Sequence, residues 1–391
     1  MSIVGLVYFF IKWIEALVLY FFGKQMEFSS SKKSYWMAAI FPIIIFGLAE
    51  GLRWGHMYDY NVYAERYAAI NAFFTVKEQS SPLFTIIVYT LKCIGISFQA
   101  FLVIQCAFLL TSALVFLQEY KRYLRWALPL LLIAFSQNEN IIRFYLSQSF
   151  MFISLYYYLK GKSGKKAFIY ACCSCLIHFG QLPFVVMLFF LRLLNVKKIP
   201  KLYAIIAFLF ATFVISVSDM TFLVKWSNLI TSYFGGSDYQ LFAYLDSMDE
   251  IVSGEAGRMG IIVAKLSSQL KSLISFLPLI ILGEKFLSHE KYGNMIYNLM
   301  IINIVLSPIF GQVELLMRFC YSFNIFVVIV MAIVLKKLFK DNKIPSHLLG
   351  YLILFCYMYA FLNSPFLRQD YEMYYIWDSY GKVTNWGPYL K

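Results

Sequence analysis

An all-α, polytopic transmembrane fold is what this sequence predicts, and three observations predict it. The chain of 391 residues is 61% hydrophobic and only 14% charged, with mean hydropathy +0.67. Its apolar runs recur at lengths near the ~20 residues that span a bilayer as helix. Within those runs polar and apolar residues do not alternate, which argues against a barrel of ~10-residue, period-two strands. The expected architecture is one membrane domain over residues 1–391 with about 10–12 membrane segments.

The formal net charge is +13. The cations collect in short loops between apolar runs, so they set membrane orientation and do not point to nucleic acid as a partner. All seven cysteines (Cys93, Cys106, Cys172, Cys173, Cys175, Cys320 and Cys356) lie in apolar segments, so no disulfide framework is expected.

Ile3–Phe22 is the first segment and reads as retained, since no small-residue cleavage site follows it. Lys12 and Glu15 lie one turn apart on it and are expected to pair. GKQMEFSSSKK is a cytoplasmic loop, and Ser34–Leu52 crosses outward. The stretch 53–81 mixes Arg53, Arg66 and Lys77 with Asp59, Glu65 and Glu78 among many tyrosines. It reads as a first external segment lying at the lipid headgroups.

Pro82–Ile96 is short for a span and is broken from Phe98–Leu117 at Gly95-Ile96-Ser97. Alternation of sides requires an odd number of crossings between 53–81 and the basic loop QEYKRYLR at 118–125. The preferred solution is that Pro82–Ile96 does not cross. Trp126–Phe135 exits, and Phe144–Leu159 returns to the basic turn KGKSGKK. Ala167–Leu191 is too long for one tidy helix and carries His178, Gly180 and Pro183 at its middle. A broken helix is expected there, because irregular backbone at membrane depth is tolerated where it lines a cavity.

RLLNVKKIPK is again basic, and Tyr203–Val217 leads outward. The loop 218–258 holds six acidic residues against two basic ones and is assigned to the outside as the large external loop. Gly260–Leu282, Met295–Ile309, Leu315–Leu335 and Leu348–Leu362 complete the set, with KKLFKDNK inside.

Ionisable groups at membrane depth are functional candidates by default. Arg53, Arg143 and Arg318 each lie where an apolar run meets a predicted outer loop. Each follows a glutamate by about one turn: Glu50, Glu139 and Glu314. The plain alternative is a helix-end ion pair or an arginine snorkelling to the headgroups. Three of them on one face suit a pyrophosphate, whose oxygens arginine binds bidentately. His178 is the histidine inside an apolar segment; it is a packing residue, a general base or a phosphate donor. Cys172, Cys173, Cys175 and His178 make a poor zinc site, lacking a second ligand pair. No P-loop, GxGxxG, HExxH or GxSxG motif occurs.

Four pieces fall in a telling order: RWGHMYDYNVY with its R-x(5)-D; QSSPLFTIIVYTLKCIGISFQAFLVI; NIIRFYLSQSFMFISLYYYLKGKSGKK with the His178 helix after it; and ELLMRFCYSFNIFVVIVMAIVL. In these the chain resembles the EpsG family of bacterial exopolysaccharide proteins, related in role to Wzy-type O-antigen polymerases. It departs from the family pattern at Ser81, where Glu is usual before the proline, and at Phe144, where Gln is common.

The resemblance implies a GT-C-like fold with an outer-face cavity. It implies polymerisation of undecaprenyl-diphosphate-linked oligosaccharide units for a surface polysaccharide, capsule or O-antigen. The site of action would be the outer face of the bacterial cytoplasmic (inner) membrane, with the protein multi-pass in the bilayer. The glycosyl transfer would be metal-independent and need no cofactor. A chain-length regulator and a flippase are the implied protein partners. Arg143 and Arg318, with Arg53 as a third cation, would stabilise the departing diphosphate. His178 or Asp59 would act as base, and Gln148, Tyr63 and Glu314 would bind substrate. Two other classes remain open at this level: a transporter or flippase of lipid-linked oligosaccharides, and a membrane O-acyltransferase.

Overall fold

The computed structural model describes residues 3–54, 58–71, 81–136, 138, 141–161, 163–187, 190, 197–217, 258–310, 314–367 and 374–375. Its elements are α1 (Ile3–Glu27), α2 (Lys32–Gly51), α3 (Tyr58–Ala69), α4 (Pro82–Cys93), α5 (Phe98–Leu117), α6 (Leu124–Ala134), α7 (Ile142–Lys160) and α8 (Gly164–Ile177). They continue with α9 (Lys201–Phe213), α10 (Arg258–Phe286), α11 (Gly293–Phe310), α12 (Glu314–Tyr321), α13 (Asn324–Lys340) and α14 (Ile344–Leu367). A two-residue antiparallel ladder sets Arg53 opposite Tyr375 and Trp54 opposite Tyr374.

The predicted helical membrane architecture is found. By length and composition, α2, the run Phe98–Ala134 and α11 are able to cross a membrane among the described residues; Pro82–Cys93, Lys201–Phe213 and 344–358 are shorter apolar helices. At the centre stands α13, apolar nearly all round, with an unbroken buried run from Ile325 to Leu335. Such a helix is stable only when enclosed, and α6, α10, α11 and α14 pack around it.

Two features decide which end of the bundle each helix faces. Gln105 on α5 donates to Asn138 just past α6 (2.9 Å), so α5 and α6 are the arms of a hairpin that reverses through the 3₁₀ turn Gln118–Tyr123. The second feature is α4. It holds 12 residues, about 18 Å of helix, against a hydrocarbon core of about 30 Å. Its two ends meet the same neighbourhood. Ser81 before it bonds Arg143, and Ile96 after it accepts from Tyr67, one turn from Tyr63. The break falls where expected: Gly95 has φ +82°, and Ser97 caps α5. So α3 and α4 both lie at one end of the bundle, and neither traverses it.

All the loops predicted to be cytoplasmic gather at the other end, and they are tied to one another. Lys336 pairs with Glu27, and Arg122 and Tyr123 both pair with Glu290. Lys160 pairs with Glu119 (2.8 Å) and Lys198 with Glu284 (3.9 Å). Tyr292 donates to the Leu159 carbonyl, and Lys121 reaches the Ser29 carbonyl (2.8 Å).

The stretch read as Leu315–Leu335 is corrected: it is two helices, α12 and α13, with Ser322 and Phe323 between them. Neither residue is a strong helix breaker, and an apolar run cannot show a break that tertiary hydrogen bonds stabilise. The acidic stretch 218–257 lies outside the described residues.

Candidate functional site

The site begins with a close helical hairpin. Ser147 of α7 donates to the Ser174 carbonyl of α8 (2.7 Å), and Ser154 donates to that of Ala167 (2.7 Å). Small residues let the two backbones approach, as membrane helices require where lipid supplies no hydrophobic drive. The turn is set by Gly161 at φ +61° and by Ser163, whose hydroxyl caps α8. The hairpin therefore places the start of α7, with Arg143, beside the end of α8, with His178.

At His178 the helix breaks as the sequence suggested. His178 is extended, Phe179–Gln181 form one 3₁₀ turn, and helix resumes at 182–187. The imidazole folds back over its own turn. A Cβ on Gly180 would lie 2.6 Å from His178 Nε2, so glycine is what leaves room for the ring. The edge of Phe144 packs against the ring at 5.9 Å between centroids.

The second break, at Ser322-Phe323, faces the first. Gln148 donates to the Tyr321 carbonyl (3.1 Å), and Ser322 donates to Gln181 Oε1 (3.1 Å). Phe144 also meets Tyr321 at 6.3 Å. Backbone freed by one interruption is thus satisfied by side chains from the other helices. Two amide atoms in this seam, Gln148 Oε1 and Gln181 Nε2, are buried without a hydrogen-bond partner among the described residues. One is an acceptor and the other a donor, and leaving such groups unsatisfied costs about 1–3 kcal/mol each.

The charged groups converge here. Arg143 and Arg318 both lie close enough to His178 for their charges to act on its ring. Arg143 is steadied from α3 and from the cap of α4: its Nε donates to Tyr63 Oη (3.0 Å) and its Nη1 to Ser81 Oγ (3.1 Å). Its guanidinium lies 5.5 Å from the Tyr63 ring centroid. Ser81 thus offers Arg143 a neutral hydroxyl. Arg318 comes from the short, eight-residue helix α12. The cluster thus brings guanidinium donors, the groups that bind phosphate oxygens bidentately, beside an imidazole.

Arg53 is placed otherwise. It is 2% exposed and pairs with Glu50, which also pairs with Lys12; Lys12 in turn bonds Glu15 (3.1 Å). This buried group of two cations and two carboxylates joins α1 to α2. The expected Lys12–Glu15 pair is present, and the Glu50–Arg53 pair is the helix-end reading of that arginine. The side chains of Asp59 and Glu314, and residue Glu139, lie outside what the structure describes. Among the described residues no three of His, Cys, Asp and Glu gather to hold a metal ion.

So Arg143, Gln148, His178, Arg318 and Tyr63 come together, while Arg53 is engaged within its own ion cluster. Sequence reasoning missed Gln181 and Ser322. The signal for Gln181 was in view, since it is a polar residue three positions from His178 in the same interrupted stretch.

The order of these parts along the chain can be compared with known families. The EpsG family model matches residues 34–376, most of the chain. The chain belongs to the EpsG family. Membership makes it an exopolysaccharide-related, polymerase-like membrane protein. The match begins within α2 and runs past the ladder at 374–375, and so includes both helix breaks and every residue of the cluster. No curated protein and no solved structure matches the chain.

Proposed function

We propose that this EpsG family protein polymerises lipid-diphosphate-linked oligosaccharide repeat units, transferring the growing chain at the membrane face opposite the basic loops. The observation that carries this reading is the meeting of Arg143, Arg318 and His178 at two facing helix breaks. A sugar hydroxyl of one lipid-linked unit attacks the anomeric carbon of the chain carried by another. The new C–O bond forms as the bond to the diphosphate breaks, and the diphosphate leaves with the electron pair. Arg143 and Arg318 take up the charge that develops on it, the kind of electrostatic stabilisation that dominates many transfers. His178 accepts the hydroxyl proton. Gln148 Oε1 and Gln181 Nε2, a free acceptor and a free donor in the same seam, orient sugar hydroxyls. Tyr63 holds Arg143 in position. Undecaprenyl diphosphate is the lipid that the family suggests, and a bacterial cytoplasmic membrane the location.

The test expresses the wild-type protein, Arg143→Ala and Arg318→Ala in a strain deleted for the chromosomal copy and resolves surface glycan by length. The expected result is a ladder in the wild type. It collapses to a single repeat unit in either variant, since losing one such charge-stabilising group costs about 10²–10³ in rate. Undecorated surface with lipid-linked repeats trapped inside would replace polymerisation by transport. An unchanged ladder would return both arginines to a structural role.

A further inference from the structure

A groove of about 770 Å³ opens on the flank of the bundle between α1, α6, α13 and α14, at the end where the basic loops gather. It shares no residue with the cluster around His178. Its volume falls in the range of small-molecule sites, but its lining is graded in a way that such sites seldom are. Glu27, Arg125, Lys336 and Lys340 stand at one end; Leu17, Leu354 and Met358 stand towards the other. All four helices run so that the cations lie at the loop end and the apolar residues deeper.

Within the groove Lys336 is neutralised by Glu27. Arg125 and Lys340 have no carboxylate partner among the described residues. Arg125 is held in place nonetheless. Its Nε donates to Tyr20 Oη, and its guanidinium lies 4.8 Å from the Tyr20 ring centroid and 5.5 Å from that of Trp126. Trp126 stacks on Phe339 at 4.7 Å, and Phe339 meets Tyr351. A wall of four aromatic rings thus fixes one cation at headgroup depth, where amphipathic rings belong. The groove is open sideways: Trp13, Leu17 and Tyr351 are 39%, 61% and 62% exposed. From Trp13 to Phe28 it follows α1 for about 22 Å, the span of one hydrocarbon leaflet plus its headgroup layer.

We infer that this groove is a binding site for an anionic glycerophospholipid of the leaflet on the basic-loop side, its phosphate at Arg125 and Lys340 and its chains along Leu17, Leu354 and Met358. Size, taper, lateral opening and charge match that class together. A free phosphate would use the cations and leave the apolar length empty.

The full-length protein, purified in mild detergent, would be titrated with phosphatidylglycerol or phosphatidylcholine of equal chain length and read by native mass spectrometry. Phosphatidylglycerol should be retained in preference. The double variant Arg125→Gln/Lys340→Gln should lose about fivefold in retention for each charge removed. The variant Lys165→Gln/Lys166→Gln, which removes the same charge outside the groove, should retain it as the wild type does. Leu17→Trp, with every charge intact, should also lose it by filling the apolar channel. Equal retention of the two lipids would overturn the assignment. So would an unchanged Arg125/Lys340 variant, equal loss in the control, full retention by Leu17→Trp, or displacement of the lipid by millimolar inorganic phosphate.

Discussion

The two ends of α7 lie in different surroundings. At its Lys160 end, cations are answered by carboxylates: Lys160 by Glu119, Arg122 by Glu290, Lys336 by Glu27. Ion pairs at an exposed surface contribute little each, yet here they join loops distant in sequence into one layer. At its Arg143 end, Arg143 is held by a tyrosine and a serine, and it shares a histidine with Arg318. The same side-chain type therefore does different work at the two ends. Ion pairs between loops hold a fold together, whereas the cations beside the histidine are, on the proposed function, the groups that meet the lipid diphosphate.

That contrast can be broken or sharpened by substitution. The largest effect is expected at His178. His178→Ala should slow chain lengthening by about 10²–10⁴, the usual contribution of a positioned acid–base group. Protein level should stay unchanged, and glycan length distributions with a membrane-fraction blot would check both. Ser81→Ala removes the hydroxyl to which Arg143 Nη1 donates. It should lower polymerisation roughly fivefold, since losing a hydrogen bond of about 1 kcal/mol leaves the guanidinium less well placed. Full activity in Ser81→Ala would mean that Arg143 does not depend on this contact for its position. The smallest effect is expected at the basic end itself. Glu290→Gln weakens the contacts with Arg122 and Tyr123 and should cost about 1 kcal/mol. It would appear as a slightly lower melting temperature in detergent, with the glycan ladder unaltered.

Much of this was legible in the sequence, for physical reasons that differ by residue. The break at Gly95 and the one at His178 were announced by residues that tolerate or force irregular backbone. That the basic loops share one end of the bundle followed from their lysines and arginines, which recur in every second connection. The pairing of Lys12 with Glu15 followed from helical spacing. What stayed hidden depends on partners far along the chain. The break at Ser322-Phe323 exists because Gln148 and Gln181 meet it from other helices, and no local pattern reports that. Arg53 looked like Arg143 in its own neighbourhood. Only Lys12, brought in by α1, shows that it belongs to a buried group of charges.

The length of α7 has one more consequence. From Arg143 to Lys160 the helix rises about 26 Å, a little less than the hydrocarbon thickness of an average bilayer, and the cytoplasmic-type end is anchored by Lys160 and its neighbours. The helix thus acts as a spacer. It sets the arginine–histidine cluster about 26 Å from the layer of basic loops. On the proposed function, a bilayer of different thickness would shift the register between that cluster and the lipid headgroups without altering a single residue, so membrane composition would become a variable of the proposed reaction in its own right.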